Sequence, residues 1–277
     1  MTIQEWLSAA HEQLKRADIA TARLDLLVLL SDELEHDKSW VLGHPEHILQ
    51  GSEIDILNTK IAQRVHHTPL AYIRGKAEFY GREFIVNKYV LVPRPESEAM
   101  IDLLKMATSL AHNITVVDIG TGSGALAITA VLELPGARVI ATDIDAGPLA
   151  VATENAEHLH AVISFLRGDL LRPFFDSGKN IAVSVLLANL PYVPDTYPIN
   201  QAAKHEPDLA LFGGHDGLEL YRRLCTQLAQ LEAKPAYIIT ESMEDEHASL
   251  AELMNTAGYK QHDSDGLAQC FKIDTPS

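Results

Sequence analysis

The segment that most constrains the fold of this chain is Thr-Val-Val-Asp-Ile-Gly-Thr-Gly-Ser-Gly-Ala-Leu, residues 115–126. A short β-branched run ends at Asp118, glycines follow at positions 120, 122 and 124, and a helical pattern begins at once. These are the parts of a nucleotide-type site, because the first turn of a helix has backbone N–H groups free for a ligand. Glycine also lets the backbone come close to that ligand. Taken alone, the segment also fits a glycine-rich turn in any α/β domain.

The glycine spacing differs from the Gly-x-Gly-x-x-Gly pattern of dinucleotide-binding loops. Asp-x-Gly-x-Gly-x-Gly resembles motif I of the class I S-adenosylmethionine (SAM) methyltransferases, in which the loop lies against the methionine part of the cofactor. The resemblance implies SAM as the cofactor and S-adenosyl-L-homocysteine as its product. It also implies a set of cofactor-binding residues in the loop, namely Asp118, Gly120, Thr121, Gly122 and Gly124.

From Ile114 onward, strand-like and helix-like segments alternate. The strand patterns cover residues 114–118, 137–143, 162–167, 181–188, 235–241, 257–263 and 268–273. The helical patterns between them lie near residues 123–134, 146–158, 216–232 and 244–256. Such alternation predicts a mainly parallel sheet with helices on both faces. Together with the motif I resemblance, it predicts the Rossmann-like α/β fold of class I SAM-dependent methyltransferases, with a mainly parallel seven-stranded sheet.

The first 72 residues show helical spacing and no strand-like alternation. A capping box of Thr2 and Glu5 is expected to begin the first helix. Apolar stripes predict a small bundle of three helices, at about residues 2–14, 21–34 and 52–68, the last one stopped by Pro69. In this interpretation Trp40 and Pro45 lie in the loop between the second and third helices.

Residues 75–92 change to strand chemistry, with turn candidates at Gly81 and at Asn87-Lys88, which predicts a β-hairpin. A helix is expected to begin within residues 93–98 and to run to Leu110. The prediction for the whole chain is therefore a helical substrate-docking domain at 1–72, a β-hairpin linker at 73–95 and a methyltransferase domain at 96–277.

Acidic residues end the second and third strand patterns of this domain. Asp143 follows Gly124 by 19 residues, a spacing at which a carboxylate accepts hydrogen bonds from ribose hydroxyls. Asp145 is the better candidate for the N-cap of the next helix. Asp169 occupies the place where class I methyltransferases commonly have an acidic residue facing the adenine amino group, although a strand-end turn also explains it.

The fourth strand pattern ends in Asn189-Leu190-Pro191-Tyr192. This sequence resembles the [Asn/Asp]-x-Pro-[Tyr/Phe] motif of methyltransferases that modify planar sp² nitrogens. The lone pair of an amide nitrogen is delocalised, so the nitrogen must be oriented toward the methyl group. The Asn189 side-chain oxygen and the Leu190 carbonyl can accept its two hydrogens, and Tyr192 can pack against the flat group. Pro191 keeps Leu190 extended. An ordinary Asn-Pro turn is the alternative.

The chain as a whole resembles the HemK/PrmC protein-glutamine N5-methyltransferases. The matching segments are Pro69–Ile73, Phe79–Gly81, Val90–Glu98, Asp118–Gly124, Asn189–Tyr192 and Glu206–Leu218. The resemblance implies methyl transfer to the glutamine of the Gly-Gly-Gln motif of peptide-chain release factors, and a first domain that docks them. It also makes Arg94 and Glu98 candidates for substrate binding beside Asn189, Pro191 and Tyr192. In the first domain only Arg23 and Asp25 align, and a surface ion pair explains them as well.

Several sites differ from the family pattern. Leu190 stands where Pro is usual, a form familiar from rRNA adenine N6-methyltransferases, and Ser97 replaces the usual Thr. The fifth strand pattern ends in Thr240–Met243 instead of Glu-Ile-Gly. Three alternatives therefore stay open, namely methylation of a ribosomal-protein glutamine, adenine N6-methylation of RNA or DNA, and SAM binding without catalysis.

The net charge of −16 and a pI near 5.1 argue against broad binding to nucleic acid, which needs clustered Lys and Arg. The start resembles no signal peptide, and no apolar run is long enough to span a membrane. The two cysteines, Cys225 and Cys270, form no CxxC pair, so a reduced cytoplasmic setting is expected. The thirteen histidines have no partners at metal-ligand spacing, and no metal site is predicted.

Overall fold

The computed structural model describes residues 1–109, 111, 113–176 and 182–274. The chain folds into two compact units. The first consists of Met1–Gly75 with Ile199–His205, and the second of Lys76–Pro198 with Glu206–Ser277. The functional assignment of the three predicted domains remains a prediction.

The first unit is a bundle of helices, and a core of apolar side chains holds it together. The helices are α1 (Ile3–Arg16), α2 (Ala22–Leu34), α3 (Lys38–Gly43), α4 (Gly51–Val65) and α5 (Leu70–Arg74). Trp6, Leu29 and Leu57 are among the fully buried side chains of this core. The predicted capping box is confirmed, because Thr2 N donates to Glu5 Oε2 at 2.8 Å and Glu5 N donates to Thr2 Oγ1 at 3.2 Å.

Three predictions for this unit were wrong. Five described helices, and not three, form the bundle, because α3 and α5 are too short to show a helical stripe in the sequence. Trp40 lies in α3 and not in a loop, because Asp37 caps that short helix by accepting from Trp40 N at 2.7 Å. Asp25 forms its ion pair in the interior and with a different arginine. Arg23 is exposed, whereas Asp25 is buried and its Oδ2 lies 2.7 Å from Nε of Arg64 on α4.

The second unit begins with a short antiparallel hairpin, β1 (Lys76–Phe79) and β2 (Arg82–Ile85), which turns at Tyr80-Gly81. The second expected turn point joins no strands, and residues 89–92 are not in a strand. The reason is local. The Asn87 side chain accepts from Tyr89 N at 3.0 Å and its carbonyl accepts from Val90 N at 3.1 Å, which makes a turn at this place.

The main sheet confirms the predicted mainly parallel arrangement. Its strands are β3 (Thr115–Ile119), β4 (Arg138–Asp143), β5 (Ser164–Arg167), β6 (Val185–Ala188), β7 (Tyr237–Glu241), β8 (Tyr259–Asp265) and β9 (Ala268–Ile273). They lie side by side in the order β5-β4-β3-β6-β7-β9-β8, and β9 runs antiparallel to both of its neighbours. Alternate residues of β3 face opposite sides of the sheet: Val116 packs into one apolar cluster, and Val117 and Ile119 into another.

Helices cover both faces of this sheet. They are α6 (Glu98–Thr108), α7 (Ala125–Glu133), α8 (Ala146–His158), α9 (Arg172–Asp176), α10 (Asp208–Leu211), α11 (Glu219–Leu228) and α12 (His247–Thr256). Asp145 is the N-cap of α8, as predicted, and accepts from Gly147 N at 3.3 Å. The expected ends at Leu110 and Ile181 lie outside the described residues. None of the described helices is both long and apolar enough to cross a bilayer.

Candidate active site

A cavity of about 540 Å³ lies beyond the carboxyl ends of β3, β4, β5 and β6. Gly120, Asp143, Gly168 and Asn189 follow or end these four strands and line it. This is the edge at which open parallel sheets bind ligands, because the loops after adjacent strands converge there. Most of the residues singled out in the sequence come together in this cavity: Arg94, Gly120, Thr121, Gly122, Asp143, Asp169, Asn189, Leu190 and Pro191. Asp118, Gly124, Tyr192 and Glu98 are not among its lining residues.

The glycine loop between β3 and α7 forms one wall of the cavity. Gly120, Gly122 and Gly124 have φ angles of +70°, +55° and +82°, a region that other residues rarely adopt. A Cβ atom at Gly122 would meet no atom within 4 Å, so this face of the loop opens onto free space. The loop is therefore shaped to bring backbone, and not side chains, next to a ligand.

Asp143 joins the glycine loop to the end of β4. Its Oδ2 accepts from Gly122 N at 3.0 Å and its Oδ1 accepts from Asp145 N at 3.1 Å. Burial raises the pKa of this carboxyl, and the backbone hydrogen bonds partly offset that rise. Each carboxylate oxygen has a second lone pair, so Asp143 can still accept from hydroxyl groups in the cavity.

Asp118, at the other side of the loop, is buried beneath it. Its Oδ2 accepts from Thr121 Oγ1 at 2.7 Å, and its exposed fraction is 1%. Burial raises the pKa of Asp118 to about 7, and the nearby negative charge of Asp143 contributes to the rise. Asp118 thus acts on the cavity through the shape of the loop.

Asp169 lines the cavity where the sequence placed it, but it has a partner that the sequence did not reveal. Its Oδ2 lies 2.5 Å from Nη2 of Arg223 on α11, and Arg223 lines the same cavity. Both side chains are partly exposed. The guanidinium leaves Oδ1 of Asp169 as the oxygen available to a donor from the cavity.

Residues 189–192 follow β6 directly and are held from several sides. Asn189 Nδ2 donates to Ser97 Oγ at 3.0 Å, which leaves its side-chain oxygen available to a ligand. The Leu190 side chain is buried, and a Cβ atom at Gly120 would lie 3.3 Å from its Cδ2. Leucine in place of proline therefore changes packing under the glycine loop. The Tyr192 hydroxyl donates to Glu241 Oε1 at 2.9 Å, and burial raises the pKa of Tyr192.

The segment around Arg94 is tied to the chain beyond β6. Arg94 Nη2 lies 2.6 Å from Oε1 of the buried Glu206, whose Oε2 accepts from Val92 N at 3.2 Å. Glu98 contacts the hairpin, since its Oε1 accepts from Tyr80 N at 2.7 Å, and its part in substrate binding stays a prediction. In the sequence, only the family resemblance marks Glu206, because its partners Val92 and Arg94 lie more than one hundred positions earlier.

A glycine-rich loop, residues 213–217, closes tightly over the residues after β6. Gly213 N donates to Val193 O at 2.9 Å, and Asp195 N donates to Gly214 O at 3.0 Å. A Cβ atom at Gly213 would collide with the Pro191 carbonyl oxygen, and one at Gly217 would collide with the Tyr192 carbonyl oxygen. This loop therefore fixes the backbone of the Asn189–Tyr192 motif through direct contact.

Comparison with known proteins agrees with this geometry. The PrmC N-terminal domain family model matches residues 5–75, and the ribosomal protein L11 methyltransferase (PrmA) model matches residues 98–190. The release factor glutamine methyltransferase of Koribacter versatilis is 35% identical over 82% of this chain and 81% of its own. That of Moorella thermoacetica is 32% identical over 98% of both chains. The chain belongs to the release factor glutamine methyltransferase family.

Solved structures of low sequence identity to this chain have the same fold. The hMettl16 catalytic domain matches with a TM-score of 0.56 at 15% identity, over 84% of each chain. The human methyltransferase 10 domain containing protein matches with a TM-score of 0.51 at 16% identity, over 71% of this chain and 90% of that one. The class I methyltransferase fold is confirmed, and family and fold together imply the use of SAM.

The cavity fits that cofactor on two structural observations. The glycine loop presents open backbone to free space, and the Asp143 carboxylate at the end of β4 keeps acceptor capacity beside it. Within the described residues, no cluster of three or more His, Cys, Asp or Glu side chains is arranged to hold a metal ion.

Proposed function

We propose that this protein transfers the methyl group of SAM to the side-chain amide nitrogen (N5) of the glutamine in the Gly-Gly-Gln motif of peptide-chain release factors. The observation that carries the proposal is the position of Asn189. It lines the cavity at the end of β6, and Ser97 holds its Nδ2 so that Oδ1 is left for an amide substrate.

The chain's own groups orient the nucleophile. Asn189 Oδ1 and the Leu190 carbonyl accept the two hydrogens of the substrate amide, which turns the nitrogen lone pair toward the methyl donor. Tyr192 supports the flat amide group, and Pro191 keeps the Leu190 carbonyl extended. When bound, SAM supplies a methyl group on a positively charged sulfur. No strong base is needed for the attack, because the excess proton leaves the nitrogen after transfer.

In this proposal the cofactor is held by the carboxyl ends of β3, β4 and β5 and the loops that follow them. Gly120, Thr121 and Gly122 form the backbone wall for the methionine part, with Asp118 buried beneath them and Gly124 completing the turn into α7 as support. Asp143 accepts from the ribose hydroxyls. Asp169 Oδ1 accepts from the adenine amino group, with Arg223 fixing the carboxylate.

The substrate side of the cavity is built by Arg94 and by the short helix α10, which carries Leu209. Leu209 lines the cavity and is 78% exposed, which suits contact with a protein loop. Glu98 acts here by fixing the hairpin. We further propose that residues 1–72 dock the release factor, that residues 73–95 link this domain to the methyltransferase domain at 96–277, and that the reaction is cytoplasmic.

The test uses purified protein with labelled SAM and three substrates: a release factor, the same factor with Gly-Gly-Ala in place of Gly-Gly-Gln, and rRNA. Label is expected on the first substrate alone. Asn189→Ala should lower the transfer rate by about 10²–10³-fold, because the amide loses a positioned acceptor. Its SAM dissociation constant, measured by calorimetry, should stay within about twofold of the wild-type value.

Two outcomes would contradict the proposal. Label on rRNA and not on the release factor would assign the protein to adenine N6-methylation. Label on the Gly-Gly-Ala factor would show that the methyl acceptor is a different residue of the release factor. A ribosomal protein assayed in parallel tests the alternative that a ribosomal-protein glutamine is the methyl acceptor.

A further inference from the structure

A buried carboxylate lies directly behind the Asn189–Tyr192 motif. Glu241 ends β7, and the parallel pairing of Ala188 with Thr240 places it level with Asn189 on the neighbouring strand. The residue is 1% exposed. Its Oε1 accepts from the Tyr192 hydroxyl at 2.9 Å, while Oε2 is buried and has no hydrogen bond of standard geometry within the described part of the chain.

Ser97 connects the same carboxylate to Asn189. Its hydroxyl oxygen accepts from Asn189 Nδ2 at 3.0 Å, so its own proton remains to be donated. Ser97 is 4% exposed, and water has little access to that proton. Burial raises the pKa of Glu241, and hydrogen bonding by the side chains of Ser97, Tyr192 and Asn189 partly offsets that rise, so all three side chains lie against this carboxyl group.

In its ionised form the Glu241 carboxylate can accept hydrogen bonds but cannot donate them. If Ser97 donates to Glu241, its oxygen can only accept on the other side, and the group it accepts from must be the Asn189 NH₂. The hydrogen bonds then run in one direction from Asn189 through Ser97 to Glu241. An amide can turn by half a rotation about its last bond, so some such contact must decide which end faces the substrate.

We propose that Glu241 is a positioning residue for methyl transfer, which holds the Asn189 side chain, directly and through Ser97, with its oxygen toward the substrate amide. The same carboxylate fixes Tyr192 through its hydroxyl. The Tyr221 hydroxyl holds the backbone in place, because it lies 2.9 Å from the Ala188 carbonyl oxygen and 2.6 Å from that of Glu241. This inference rests on the proposed function and adds a residue that contacts neither substrate nor cofactor.

The test compares kcat, KM for the release factor and the SAM dissociation constant in the full-length protein. Glu241→Gln keeps the shape but provides an NH₂ group that can donate to Ser97 and reverse the chain of hydrogen bonds. Its kcat is expected to fall by roughly 10–100-fold, because a misdirected amide loses the aligned attack geometry. KM and the SAM dissociation constant should stay within about twofold.

Ser97 supplies the second arm. Ser97→Ala removes the connecting hydroxyl and should lower kcat about as much, whereas Ser97→Thr keeps the hydroxyl and should restore most of the rate. The double variant of Ser97→Ala and Glu241→Gln should be no slower than the worse single variant, because both changes disrupt the same hydrogen-bond network. Glu133→Gln makes the same chemical change on a carboxylate that binds Arg82 and Lys105 away from the cavity, and serves as the matched control.

The outcomes separate the two proposals. If the wild-type protein does not label the release factor, the proposed function fails before any variant is compared. If it does and Glu241→Gln keeps the wild-type kcat, the positioning role fails alone. Equal losses in Ser97→Ala and Ser97→Thr would also overturn it. Thermal unfolding checks that each variant is folded, and the two Ser97 variants decide the question if Glu241→Gln does not fold.

Discussion

Asp118 and Glu246 are carboxylic acids that burial keeps protonated to unusually high pH. Burial raises the pKa of Asp118 to about 7, and burial likewise raises the pKa of Glu246 to about 7. An acid whose pKa is higher in the folded than in the unfolded chain favours folding less as it ionises. Stability should therefore fall as pH rises from about 4 toward 7, and the full penalty should be present above pH 8.

The variant Asp118→Asn measures how much Asp118 contributes to the pH dependence of the unfolding free energy. A shift from the ordinary value of 3.8 to about 7 corresponds to roughly 2–3 kcal/mol between pH 5 and pH 8. The unfolding free energy of the variant, relative to wild type, should therefore increase by about that amount between these two pH values. Urea unfolding at both values measures it.

Asp37→Asn is the matched control for this comparison, because Asp37 is exposed at the start of α3 in the first unit and asparagine caps a helix equally well. Its relative stability should change little between the two pH values. A constant difference between Asp118→Asn and wild type would show that Asp118 is ionised throughout this range.

At the scale of elements, the glycine-rich loop at residues 213–217 packs directly against the backbone of the motif at residues 189–192. Gly217 has a φ angle of +77°, and a Cβ atom there would collide with both the Tyr192 carbonyl and the Glu246 carboxyl. Neither obstacle can move freely, since one is backbone and the other belongs to a largely buried residue. The loop thus allows almost no side chain at this position.

Gly217→Ala should lower both stability and activity. We expect a loss of about 2–4 kcal/mol in unfolding free energy, from the φ cost and the forced shift together. The rate of methyl transfer should fall at least tenfold, because displacement of Tyr192 moves the acceptor groups next to it. Urea unfolding and the release factor assay measure the two effects.

Gly136 supplies the control for this variant, because its φ angle is +89° and a Cβ atom there would meet nothing within 4 Å. Gly136→Ala should cost about 1 kcal/mol and leave the rate unchanged. Similar losses in both variants would mean that the φ angle, and not the contact with the motif, dominates at Gly217.

The regular elements of the second unit could be predicted from the sequence because their patterns are local. Apolar β-branched runs mark the strands, and helix α8 was predicted with the bounds that the structure has. The partners of Asp25, Glu206 and Glu241 could not be predicted, since they lie 39 or more positions away along the chain. Short helices such as α3 and α10 were missed because four to six residues give no readable periodicity.

At the scale of the whole molecule, the net charge of −16 repels polyanions. We expect the protein to bind a 20-nucleotide single-stranded RNA with a dissociation constant weaker than about 10⁻⁴ M at 150 mM salt, the weak end of non-specific binding. Fluorescence anisotropy measures this. Micromolar binding that weakens steeply with added salt would contradict this expectation. It would support the alternative that the substrate is a nucleic acid.

The close contact between Gly213, Gly217 and the residues after β6 also determines where the acceptor range of this enzyme can be redesigned. Libraries that vary the loop glycines would consist largely of misfolded or inactive members, because added side chains would displace the Pro191 and Tyr192 carbonyls. Leu209 lies in the same region, lines the cavity and is mostly exposed. Saturation mutagenesis at Leu209 is therefore a better starting point than the loop glycines for selecting variants that accept other glutamine-containing peptides.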